Sequence, residues 1–399
     1  MKPSVALVYD KVNTSYGGAE QVLRALHHAF PTAPLYTSVY NQHAAPWADD
    51  FTVQPSFLQS VPGVTTKHQL LAPLMPLAFE SHSLEAFDIV ISVSSGEAKG
   101  ILTKPNQLHI SYLLTPPRYV YSHQHEYLKT FPFFKLPGIK QLSTLLLAYL
   151  RWWDQAAAHR ADHIITISEL VSQRVKKYYH RQPTAVIYPP VAKKPRAKLG
   201  LEASNYFLSL SRLVPYKRVD LSIAACLQTQ QRLVVVGSGV ATPELQKLAG
   251  SAAYIRQPDE SVEHALTTAT EQLKQILFLG SVSDAEVSAL ISTAQALLMP
   301  GIEDYGITAL EAGLQGVPTI IAAKSGAAEV LGELAVAVAD ESVTSLVSAI
   351  QQLHQKKISA TALKKRAQQY QTAAFTSQFQ KIVYDLFIQH RQKGPHVYL

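Results

Sequence analysis

Glu303-Asp304-Tyr305-Gly306-Ile307-Thr308-Ala309-Leu310-Glu311 is the segment best equipped for chemistry. It follows an apolar run ending at Met299-Pro300. Gly306 permits a turn, and a helix opening at Ile307 puts Glu311 one turn in. Carboxylates accept hydrogen bonds from sugar and ribose hydroxyls, and the N–H groups of Gly306, Ile307 and Thr308 at a helix start suit a phosphate. Helix capping would also account for Glu303 or Asp304, but less readily for Glu311 together with them. In Ser211-Arg212-Leu213-Val214-Pro215-Tyr216-Lys217-Arg218, Arg212 and Lys217 flank a chain turn directly after a strand. They are placed to neutralise a diphosphate; the alternative is a pair of ordinary surface cations. Gly17-Gly18, between a first strand and a first helix, suits close backbone approach to a phosphate or simply a tight turn. Neither the Walker pattern nor the six-residue dinucleotide fingerprint is present, which argues against P-loop hydrolysis and nicotinamide chemistry.

These residues sit where strands end. Val5–Tyr9, Ile89–Val93 and His163–Ser168 are short runs rich in β-formers, each followed by a helical stretch. Pro189-Pro190 and the Lys/Pro-rich residues after it break the pattern, so a linker is expected over 191–200. The alternation restarts with strands at Tyr206–Leu210, Leu233–Gly237, Ile276–Gly280, Ala296–Pro300 and Thr319–Ala322. Ser251–Gln275 reads as a polar insertion. Two blocks of alternation predict an α/β protein of two Rossmann-like, doubly wound domains facing each other across a cleft. The expected division is 1–190 and 201–374, followed by a last helix over 375–399. Ligands of such sheets bind at the carboxyl ends of the strands.

Composition bounds the rest. The 399 residues are 47% hydrophobic and 16% charged, enough for two cores and unlike a disordered chain. One cysteine, Cys226, excludes a disulfide scaffold or a cysteine-ligated zinc site. No signal-peptide core and no run of about 18 apolar residues is found, so an intracellular, soluble protein is expected. The net charge of +7 is uneven: Lys99 to Arg218 holds 19 basic and 5 acidic side chains. That belt suits an anionic partner or is a solvated basic surface. No zinc, RNA-recognition or helix-turn-helix signature supports a nucleic-acid partner. Phe131–Pro137 and Ile139–Trp153, aromatic and leucine-rich, flanked by Lys129, Lys135, Lys140 and Arg151, read as an interfacial anchor or as a helix buried in the first domain.

The ordered set Gly17-Gly18-Ala19-Glu20, Ser211-Arg212-Leu213 with Lys217, Phe278-Leu279-Gly280-Ser281-Val282-Ser283, and Glu303 with Glu311 resembles the retaining, nucleotide-sugar-dependent glycosyltransferases of GT-B type, family 4. Ser94-Ser95-Gly96 through Gly100, Thr115-Pro116-Pro117-Arg118-Tyr119 and Ile187–Val191 look like its mannosyltransferase branch, which builds bacterial surface polysaccharides. The resemblance implies that Gly17 and Gly18 approach the donor diphosphate and that Arg212 and Lys217 bind it. It gives Glu311 the ribose hydroxyls, the backbone at Val282 the base, Glu303 the transferred sugar, and Gly306, Ile307 and Thr308 the sugar or phosphate. Ser95, Gly96, Thr115 and Arg118 fall on the acceptor side, and the resemblance implies that the last helix, 375–399, packs back on the first domain. It further implies transfer of a hexose, most plausibly mannose from GDP-mannose, to a glycan or lipid-linked glycan, with no cofactor or metal. The implied location is cytoplasmic, with peripheral membrane contact through 129–153.

One position departs from the pattern. Relatives usually carry histidine before Thr-Pro-Pro-Arg-Tyr, and this chain carries Leu114, which can neither donate a hydrogen bond nor share a proton. The alternative reading is therefore a catalytically silent nucleotide-sugar-binding or scaffolding subunit of the same fold.

Overall fold

The computed structural model describes residues 2–15, 17–122, 139–197 and 205–393. The chain divides into two compact units, Met1–Pro190 with Thr372–Leu399, and Val191–Gln371.

The first unit contains β1 (Val5–Tyr9), β2 (Leu35–Thr37), β3 (Val53–Pro55), β4 (Ile89–Ser94), β5 (Leu108–Leu113), β6 (His163–Thr166) and β7 (Ala185–Val186). They form one parallel sheet in the order β3-β2-β1-β4-β5-β6-β7. β1 pairs with β4 in the register Val5↔Ile89 to Tyr9↔Val93, and every residue of both strands is buried. The strand order reverses between these two, which puts the switch point at the loops after Tyr9 and Ser94. The chain returns to this unit through the helix Thr372–Lys393. There Phe375 and Phe379 set their rings 5.9 and 5.3 Å from that of Tyr112, and the Gln380 amide donates to the Ala29 carbonyl at 2.6 Å.

The second unit repeats the plan with β8 (Tyr206–Leu210), β9 (Arg232–Val236), β10 (Ala253–Ile255), β11 (Ile276–Gly280), β12 (Ala296–Met299), β13 (Thr319–Ala322) and β14 (Val336–Val338). The order is β10-β11-β9-β8-β12-β13-β14, again wholly parallel, with the reversal between β8 and β12. Phe207, Leu233, Val235, Ile276, Leu298 and Ile320 from the strands and Ile223, Leu346 and Ile350 from the helices form its core.

One expectation needs correction. Ser251–Gln275 is not an insertion: it holds β10 and the helix Val262–Glu271, an ordinary strand–helix unit at the sheet edge. Ser261 caps that helix, and Val262, Ala265, Leu266 and Ala269 bury its inner face, so its polar residues merely line the outer one. Within the expected linker, residues 191–197 are bonded to the second unit. The Val191 N–H donates to the Tyr370 carbonyl at 2.8 Å and the Ala197 N–H to the Ala285 carbonyl at 2.9 Å, which fastens the stretch to the second unit. Residues 198–200 of the expected linker lie outside the described residues.

Candidate functional site

In the second unit the chain after β8 carries Arg212 and Lys217, and the loop and helix after β12 carry Glu303, Gly306, Ile307, Thr308 and Glu311. After β8 the chain makes the turn Pro215–Lys217, closed by Arg218 in the left-handed region at φ 54°. Lys217 Nζ contacts Glu303 Oε1, which comes from the loop after β12. The Lys217 ammonium also lies 5.6 Å from the centre of the Tyr216 ring, whose hydroxyl is 3.4 Å from Arg212 Nη2. One tyrosine thus touches both cations, while Arg212 itself is exposed. The two loops approach backbone to backbone: a Cβ on Gly301 would stand 2.4 Å from the Tyr216 carbonyl oxygen, so no larger residue fits without moving the turn. Ser325, fully buried, accepts from the Glu303 N–H at 3.0 Å and holds that loop from beneath.

Gly306 follows at φ 85°, a conformation costly for other residues, and opens the helix Ile307–Gln315 with no side-chain cap. The amides of Ile307 and Thr308 therefore begin an uncapped helix end. Glu311, buried one turn in, pairs with Lys194 Nζ at 3.0 Å. Val282 is half-buried in the loop between β11 and the helix Asp284–Thr293. Glu303 with Lys217, and Glu311 with Lys194, are two separate ion pairs of this unit. Sequence reasoning missed Lys194 and Ser325, whose only signals were a lysine in a Pro-rich stretch and a serine before a helix.

The first unit organises its switch point around Asp10, also unforeseen. Asp10 Oδ2 accepts from the Ser95 N–H at 2.7 Å and the Ser95 hydroxyl at 3.2 Å; Oδ1 accepts from the Ser94 hydroxyl at 3.0 Å and the Ala98 N–H at 2.9 Å. Gly96 lies against this carboxylate and its carbonyl accepts from Lys99 Nζ at 2.6 Å. Gly17 and Gly18 open the helix Gly18–Ala29, and Glu20 in its first turn, buried, accepts from the Tyr9 hydroxyl at 2.9 Å. Thr115 accepts from Arg174 Nη1 at 3.2 Å, and Arg118 begins the short helix Arg118–Tyr121. Leu114 donates its N–H to the Ser94 carbonyl at 2.8 Å and presents only hydrocarbon beyond β5. Among the described residues, no three His, Cys, Asp or Glu side chains are grouped to hold a metal.

Glu97, in the same loop, accepts from the Tyr119 hydroxyl. Burial pushes its carboxyl up to about 7, Asp10 adds to the rise, and the Tyr119 hydrogen bond opposes it. From about pH 4.5 to 7 the folded protein keeps a proton that the unfolded chain has released, so stability falls as pH rises through that window. Thermal unfolding at pH 5 and pH 8 should show the wild type losing about 2 kcal/mol more than Glu97→Gln. Parallel pH curves for the two proteins would remove Glu97 as the cause.

The segment 129–153 is described only from residue 139. In the helix Ile139–Ala158, Leu150, Trp153 and Ala157 are buried against the first unit, whereas Leu145, Tyr149 and Trp152, at i, i+4 and i+7, are 68%, 42% and 66% exposed. Among the described residues no helix is long and apolar enough to cross a membrane.

Two seven-stranded parallel sheets, each with its polar loops gathered at the strand reversal, define a two-domain Rossmann-like protein of the GT-B fold. Residues 191–370, essentially the second unit, match the family model of the glycosyl transferases group 1. No curated protein matches the chain. Among solved structures it is similar to sucrose-phosphate synthase from Thermosynechococcus elongatus (TM-score 0.64, 15% identity, 97% of this chain and 100% of that one). It is also similar to Anabaena HepE in complex with UDP and glucose (0.62, 15%, 96% and 100%). A third is WaaG, a glycosyltransferase involved in lipopolysaccharide biosynthesis (0.57, 15%, 95% and 99%). At these identities the likeness is one of fold.

Proposed function

We propose that the protein is a retaining glycosyltransferase that moves a hexose, mannose from GDP-mannose first among the candidates, onto a glycan or lipid-linked glycan in surface polysaccharide biosynthesis. The observation that carries this reading is the Lys217–Glu303 contact at the β8/β12 reversal, inside the segment matched by the family model. Arg212 and Lys217 neutralise the leaving diphosphate as negative charge develops on it, and Glu303 takes hydroxyls of the transferred sugar. Glu311 takes the ribose, and the amides of Gly306, Ile307 and Thr308 take sugar or phosphate. Gly17 and Gly18 are assigned to the diphosphate, and Ser95, Gly96, Thr115 and Arg118 to the acceptor. Retention follows when the acceptor attacks from the leaving-group face, where the departing diphosphate takes its proton. Arg212, Lys217 and the helix start supply the charge stabilisation, so the reading needs no metal or cofactor.

Purified protein offered a panel of GDP-, UDP-, ADP- and dTDP-sugars with lipid-linked and free glycans should release nucleoside diphosphate with one donor. A uridine donor is the competing outcome, because the similar HepE was solved with UDP and UDP-glucose. Donor binding without turnover on any acceptor would instead establish the silent subunit that Leu114 favours. The protein works at the cytoplasmic membrane face, with Leu145, Tyr149 and Trp152 in the headgroup region. Co-sedimentation with anionic vesicles should fall several-fold in Trp152→Ser; equal sedimentation of both proteins contradicts the membrane contact.

A further inference from the structure

Lys194 has no assigned role, yet its surroundings are built. It lies midway along the fastened stretch 191–197, with Nζ 3.0 Å from Glu311 Oε1 and 3.1 Å from Asp284 Oδ1. The Glu311 side chain is 7% exposed, Lys194 19% and Asp284 57%. Burial pulls the ammonium down, but Glu311 and Asp284 more than offset it, so Lys194 is held above its ordinary value and stays charged at neutral pH.

Local structure does not require this contact. The helix Asp284–Thr293 is already closed by a reciprocal Ser283–Glu286 capping box. A cation near the first turns of Ile307–Gln315 is disfavoured by that helix's dipole. What the contact does supply is a fixed, neutralised carboxylate in a site that must admit a polyanion. Without Lys194, Glu311 would be a buried, less restrained negative charge beside the incoming diphosphate.

We infer that Lys194 is a positioning residue for the donor: it orients Glu311 toward the ribose hydroxyls of a nucleoside diphosphate and cancels its repulsion of the phosphates. The inference rests on the reading above that Glu311 meets the ribose. Calorimetry with GDP and UDP, and donor kinetics, test it on wild type, Lys194→Met, Lys194→Arg, Asp284→Asn and Glu311→Gln. Lys194→Met should weaken nucleoside diphosphate binding and raise the donor KM about 10- to 100-fold, with kcat at saturation within about threefold. Lys194→Arg should restore most of that loss, and Asp284→Asn should bind nearly as wild type, because the exposed Asp284 carboxylate is screened. If Glu311→Gln binds as wild type, the ribose role of Glu311 fails and this inference with it. If Glu311→Gln weakens binding while Lys194→Met does not, the inference alone is overturned. A Lys194→Met loss that arginine does not rescue, accompanied by a fall in melting temperature, makes the residue structural and also overturns it.

Discussion

Replacing Glu303 with glutamine should lower glycosyl transfer about 100- to 1,000-fold, mostly in kcat, while nucleoside diphosphate binding changes about threefold or less. Glutamine keeps the shape of the side chain and the buried Ser325 bond to the backbone at 303, so the loop should survive. It removes the negative charge that meets Lys217. In the proposed reaction Lys217 answers the charge growing on the diphosphate while Glu303 holds the sugar that is acquiring positive character. The pair is therefore worth more in the transition state than in the ground state. Lys217→Ala should be comparably slow but should also bind nucleoside diphosphate more weakly, since a cation facing the phosphates contributes to ground-state affinity too. The double variant should be little worse than either single one, because residues acting as a unit lose their contribution together. An activity of Glu303→Gln within threefold of wild type would take Glu303 out of the chemistry.

The parts of this site that could be read from the chain are those whose meaning is local. Strands such as Val5–Tyr9 and Ile276–Gly280 are buried on both faces and appear as unbroken apolar runs. Gly306 with Glu311 one turn later is a spacing along one helix, and it is found as the residues suggest. β5 escaped because His109 and Ser111 interrupt its pattern with polar side chains, as on a half-exposed strand. Both are buried: His109 bonds to Ser92 on β4 at 3.0 Å, and burial pushes its imidazole down to about 3, leaving it neutral. β2, β3, β10 and β14 have three residues each, too few to show a period. Asp10, Lys194 and Ser325 were illegible for another reason. Their partners lie on distant segments, Ser95 and Ala98 for Asp10, Glu311 for Lys194, and Glu303 for Ser325. Only the parallel order of the sheet brings those loops to one edge, and nothing in the residues themselves announces the pairing.

The largest stability effect should come from Lys99→Met. Lys99 is 1% exposed, an extreme degree of burial for a lysine. Its ammonium contacts Asp154 Oδ1 and donates to the Gly96 carbonyl at 2.6 Å. The other oxygen of Asp154 accepts from the hydroxyls of Tyr121 at 2.9 Å and Tyr179 at 2.8 Å. Burial and the adjacent carboxylate push both phenols up, so they remain donors at every physiological pH. Methionine fills much the same volume but leaves the Asp154 carboxylate, 2% exposed, with two neutral donors and no countercharge. Breaking one side of a buried ion pair costs about 3–5 kcal/mol, far more than the pair's net worth against an apolar replacement. The loss should therefore appear as an earlier first-unit transition in urea, since two units need not unfold together. Adding Asp154→Asn should recover part of it by removing the stranded charge while keeping an oxygen for the tyrosines. Activity adds a second readout below the transition: freeing the Gly96 carbonyl loosens the loop that carries Ser95, so, if Ser95 meets the acceptor as proposed, acceptor KM should rise while donor KM holds. A first-unit midpoint shifted by less than about 1 kcal/mol would mean that Lys99 is not the countercharge of this core, and that the Ser95 loop is fixed through Asp10 alone.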